Sequence, residues 1–142
     1  MTHRQHRRVN DTSIQQSTRD LRAFTAIIGL AALVVLLQAV WAGIFIREHQ
    51  DYSHTWIVVH ARGADVAIGL GLVALVVLLL RARQRRDLVV GTAAFVVALV
   101  LEAYIGGILG PDPALSVVHF PLAMAITGLS VWLPFRASRD RS

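Results

Sequence analysis

His60 and His119 are the residues in this chain best suited to chemistry. Imidazole ligates metals through either ring nitrogen and moves protons near neutral pH. Each of the two stands a few residues inside a long apolar stretch. An ionisable group there is costly and is a functional candidate by default. The segment WIVVHARGAD adds Arg62 and Asp65 close to His60, and Gln38 and Glu102 punctuate two other apolar stretches.

The elements that must position these groups are read from hydropathy. The chain has 142 residues, is 55% hydrophobic and has a mean hydropathy of +0.57, too apolar for an ordinary soluble domain of this size. Apolar stretches run over 23–46, 56–80, 88–109 and 114–135. A helix of roughly 20 apolar residues crosses a hydrocarbon core of about 30 Å, so each stretch predicts one span. The connections 47–55, 81–87 and 110–113 are short. The expected fold is therefore all-α, an integral membrane four-helix bundle running up-down-up-down. Residues 1–22 form a basic tail that is either disordered or laid on the inner leaflet, and 136–142 form a second tail. The polar start does not read as a cleavable signal peptide.

Charge sets the orientation. All fourteen basic residues are arginine, and the formal net charge is +5. All but Arg47 and Arg62 fall in the two tails or in the 81–87 connection, which this topology puts on one side. The positive-inside rule then places both termini in the cytoplasm, in a multi-pass protein of the cell's inner (plasma) membrane. The high pI is thus a topology signal, and nucleic acid is not an expected partner; the lipid bilayer is. The absence of cysteine excludes a disulfide framework, thiolate metal sites and covalent c-type haem.

This topology gives the histidines a depth. His60 lies about four residues below the start of the second span, roughly 6 Å at the helical rise, and His119 about as far below the start of the fourth. Two imidazoles at one level, on helices that can stand diagonally, suit the axial positions of a haem iron inside a bundle. Zinc or copper would want further ligands. The connection REHQDYSH offers Glu48, His49, Asp51 and His54, but these read more simply as a solvated loop. Below His60, Gly63, Ala64, Ala67 and Gly71 make one small-residue face, leaving room for a flat ligand or for close helix contact.

Arg62 lies about 200° around the helix from His60. It is expected to pair with Asp65 and snorkel outwards, or else to meet a haem propionate. Gln38, Asp65 and Glu102 come to similar depths, where a carboxylate costs on the order of 2.5–3.5 kcal/mol on insertion scales. They read as a proton path or polar lining, or as an interhelical hydrogen-bond cluster. Trp56 and Tyr52 suit the outer aromatic belt and Trp132 the inner one. Gly110, Pro111 and Pro113 mark the connection between the third and fourth spans.

The stretches HARGADVAIGLGLVALVVLLL and LEAYIGGILGPDPALSVVHFPLAMAITGLSVWL resemble the second, and the third and fourth, helices of one half of a haem A synthase. That family has eight spans in two similar halves. Each half offers a histidine from its second helix and one from its fourth. The resemblance covers about residues 23–135 and implies b-type haem, or another non-covalent haem, bound by His60 and His119; read from the helix faces, Gly63, Ala67 and Arg62 are the further residues expected beside it. It implies electron transfer or haem handling, a respiratory-chain or haem-biosynthesis partner, and a homodimer that would rebuild the two halves. The family's substrate half has a glutamate where this chain has Ile57, and its paired cysteines are absent here. His60-Ala61-Arg62 also separates the family's His-Arg pair by one residue. What remains is closer to the cofactor half, with enzymatic activity open. A different class also fits the composition: a non-catalytic subunit or assembly factor of a respiratory complex, without haem, whose histidines serve helix contacts.

Overall fold

The computed structural model describes residues 2–47, 53–108 and 113–139. They form α1 (Thr2–Arg47), α2 (Ser53–Arg81), α3 (Arg86–Ile108), a single 3-10 turn (Pro113–Leu115) and α4 (Ser116–Ser138). Each α-helix contains a segment long and apolar enough to cross a membrane: Leu21–Ile44, His54–Arg81, Arg86–Ile108 and Ser116–Ser138. These agree with the four expected spans to within a few residues. The chain is an all-helical multi-pass membrane protein. Glu48, His49, Asp51, Tyr52, Gly110 and Pro111 lie outside the described residues.

The first helix differs from expectation, because the basic tail is helical and continuous with the first span. Once a span has nucleated a helix, each added residue gains a hydrogen bond without a new nucleus. Hydropathy marks where a span begins and is silent on where its helix does.

The helices close a ring in which α1 and α3 each pack on both α2 and α4. So α2 and α4 occupy one diagonal of a four-helix bundle. The inward stripes follow helical spacing: Leu21, Phe24, Ile28, Ala31 and Val35 on α1; Ala67, Gly71, Ala74 and Leu78 on α2. Leu88, Thr92, Phe95 and Leu99 face inward on α3, as do Ile126, Ser130, Leu133 and Ala137 on α4. The outside is equally apolar, with Leu33, Val40, Val90, Val131 and Met124 exposed. In water such a surface would aggregate; in lipid it is the required one. Inside α4, Pro121 and Pro134 interrupt the backbone ladder, a pattern spanning helices tolerate when neighbouring groups re-satisfy it.

Asp87 ties two helix ends together. Its carboxylate lies 3.0 Å from Arg136 in the last turn of α4 and 3.3 Å from Arg85. It also sits in the first turn of α3, where a negative charge complements the helix dipole. Asp87→Asn is expected to lower stability by about 1 kcal/mol. Thermal unfolding in detergent measures this, and the loss should shrink at high salt because the groups are partly exposed.

Candidate functional site

At one end of the bundle the apolar stripes of all four helices give way to polar residues. Gln38 follows Val35 by one turn on α1, and His60 precedes Gly63 by one turn on α2. Glu102 follows Leu99 on α3, and His119 lies two turns before Ile126 on α4. All four are half-buried. One polar layer thus caps the core, with one group from each helix.

Gln38 and His60 meet directly. His60 Nδ1 lies 3.1 Å from the Gln38 backbone carbonyl. With its amide nitrogen turned towards α2, Gln38 reaches His60 Nδ1 at 3.0 Å and donates to the His60 carbonyl at 2.8 Å. The amide oxygen then accepts from the Ala64 N–H at 3.3 Å. The tautomer of His60 decides whether Nδ1 donates to the Gln38 carbonyl or accepts from its amide. Only the first case, with Nδ1–H donating to the Gln38 carbonyl, leaves the Nε2 lone pair free for a metal; in the second the proton sits on Nε2.

Gly63 makes this approach available. A Cβ there would collide with the Gln38 amide and the Trp41 ring, both from α1. At Gly71 an added Cβ would stand 3.0 Å from Val96 Cγ2 of α3, and Ala67 is buried. The small-residue face below His60 is therefore used for close helix contact. Gly63 and Ala67, expected beside a cofactor, instead carry side chains of neighbouring helices or lie in the core.

On the other diagonal corner, His119 Nδ1 lies 3.0 Å from Glu102 Oε1, with both side chains 14% exposed. The separation is that of a hydrogen bond, yet the ring N–H is not aimed at the carboxylate. Neither Glu102 oxygen nor Nδ1 has an aligned partner among the described residues. The contact is a close polar approach that a small ring rotation would convert into a bond. Gly106 lies against the same ring, its Cβ position 3.3 Å from His119 Cε1, and Phe120 meets the ring edge-on at 5.8 Å. Glu102 is expected to fix the proton on His119 Nδ1, so Glu102→Leu should turn one tautomer into a mixture. Nitrogen-15 NMR of labelled histidine reads this directly; unchanged ring shifts would show the carboxylate has no hold on the ring.

The structure brings Gln38 to His60 and Glu102 to His119, two pairs in one polar layer. It does not bring Arg62 or Asp65 there. These two pair with each other at 3.4 Å on the outward face of α2, with side chains 80% and 65% exposed. Arg62 meets its expected partner, but no group of this chain's interior. Asp65, expected as a polar lining with Gln38 and Glu102, is corrected to the outer surface: five residues on from His60 is about 140° around the helix. Trp41 of α1 joins this layer, its ring lying against Gly63 of α2. His54 is exposed at the start of α2. Among the described residues, no three His, Asp or Glu side chains are grouped to hold a metal ion.

No family model, curated protein or solved structure matches the chain.

Proposed function

We propose that the protein is a membrane haem protein in which His60 and His119 would hold a non-covalent b-type haem. The observation that carries this reading is the pairing of the histidines. They come from the diagonal helices α2 and α4; His60 is held at Nδ1 by Gln38 of α1, and Glu102 of α3 stands 3.0 Å from Nδ1 of His119. Metal-bound histidines commonly have this arrangement, with the far nitrogen on a carbonyl or carboxylate and the near one on the metal. Two imidazoles with no grouped third donor among the described residues also suit haem better than a zinc or copper site.

When bound, haem would supply one-electron redox chemistry. The chain's own groups would orient it. Gln38 fixes the ring of His60, Glu102 faces His119, and the apolar core beneath keeps water from the layer. The reading places the site near the outer face of the plasma membrane, with an up-down-up-down bundle and both termini in the cytoplasm, as the arginine distribution supports. Its biological role would be electron transfer or haem handling in the manner of a haem A synthase half, with a respiratory or haem-biosynthetic partner. Ile57 at the glutamate position weighs towards a cofactor role and against oxidation of a substrate.

The second reading, a haem-free subunit or assembly factor, draws support from Gly63. There Gln38 and Trp41 already fill the face beside His60, so that histidine also serves α1–α2 contact. A reduced-minus-oxidised visible spectrum separates the two. The haem reading expects narrow low-spin b-type bands from the purified chain. A colourless protein, purified after growth with ample haem, overturns it in favour of the subunit reading.

A further inference from the structure

The Arg62–Asp65 pair raises a question that the interior does not answer. The span of α2 covers His54–Arg81, 28 residues, and Asp65 stands within about 4 Å of its midpoint. Among the described residues of the four spans, these are the only charged side chains exposed away from a helix end. Arginine can snorkel from such a depth. The short aspartate side chain cannot, and it would draw its neighbour into the hydrocarbon. A surface built for lipid alone does not contain such a pair.

The surrounding face has the form of a helix contact. Val58, Ala61, Asp65, Gly69, Leu72 and Val76 recur at three- and four-residue steps on the side of α2 opposite its buried stripe, and all are exposed. Nothing lies within 4 Å of a Cβ added at Gly69. A neighbouring backbone could therefore approach closely one turn beyond Asp65, as at small-residue crossings in membranes.

We propose that this face binds the same face of a second copy of the chain. Charge selects that occupant. One helical turn carries both signs, so a two-fold axis along the membrane normal sets Arg62 of each copy near Asp65 of the other. The patch is complementary to itself, whereas a helix of single charge or none would leave one member unmatched. The two α2 helices run parallel, and the ion pairs are enclosed by Val58, Leu72 and Val76 of both copies. This interface stands irrespective of whether His60 and His119 hold haem.

The test uses the full chain in bicelles and in its native membrane. Because the chain has no cysteine, Leu72→Cys introduces a single thiol on the proposed face, and Met124→Cys one on the exposed face of α4. The proposal expects a particle of twice 15.6 kDa and oxidative cross-linking of Leu72→Cys but not of Met124→Cys. Arg62→Asp alone and Asp65→Arg alone should each weaken self-association about tenfold or more. Mixing the two variants should restore it, since each then supplies the charge the other lacks. That restoration cannot come from the internal pair, which is broken in both chains. A monomer at every concentration, equal cross-linking at both sites, or cross-linking only to a different membrane protein would overturn the proposal.

Discussion

His119→Ala is expected to abolish the low-spin b-type spectrum that the haem reading gives the wild type, and His60→Ala to do the same. Changing a residue that merely orients a metal-bound histidine costs about 10–100-fold in metal affinity. Removing the ligand itself should cost no less, so haem content falls by about tenfold or more or the remaining haem turns high-spin. Added imidazole should restore low-spin bands in a variant that still folds. The two substitutions should differ in stability. In His60→Ala, Gln38 keeps its contacts with the backbone at residues 60 and 64, and α1 stays attached to α2. In His119→Ala, Glu102, whose oxygens already lack an aligned partner among the described residues, loses its close polar approach to the ring as well. Losing that approach costs about 1 kcal/mol, so His119→Ala is the less stable variant. Adding Glu102→Leu to it should recover stability without recovering haem. If the wild type itself carries no haem and the variants change only their unfolding temperatures, the histidines are structural.

Most of the architecture could be read from residue type alone, because a bilayer imposes one length on every span. The stretch 56–80 needed only counting to be placed within α2, Ser53–Arg81. Depth was equally legible: counting from the span edges set His60 and His119 at one level, and the structure has each at the polar end of its helix's inward stripe. Rotation was legible only in part. The rule that turned Arg62 away from His60 also turns Asp65 away, yet Asp65 was grouped with Gln38 and Glu102 by depth alone. Partners were not legible. That Gln38 meets His60 while Glu102 meets His119 depends on how each helix is rotated against its neighbours. Packing over the whole interface sets that rotation, not the spacing along one helix. Gly63 was a visible signal with two readings, room for a ligand or room for a helix. Only the side chains of α1 decide between them, and the structure fills the space with Gln38 and Trp41.

The same glycine carries the second large effect. Gly63→Val is expected to destabilise the bundle by about 3 kcal/mol. The Cβ position at Gly63 is occupied by the Gln38 amide and the Trp41 ring, so α1 must retreat or two side chains must leave their rotamers. Retreat also breaks the three contacts that Gln38 makes with His60 and Ala64. The loss comes from sterics and not from helix propensity, and a comparison within the same chain separates the two. Gly128 in α4 has nothing within 4 Å of an added Cβ. Gly128→Ala should therefore be neutral or gain about 0.5–1 kcal/mol, as alanine does over glycine within a helix. Gly63→Ala should move the other way, because even one methyl group meets the amide and the ring. Paired unfolding curves in detergent measure both. Equal tolerance of alanine at the two positions would mean that α1 does not approach α2 as closely as Gly63 requires. The hold of Gln38 on His60 would fail with it, since an amide lifted off the α2 backbone no longer reaches the ring.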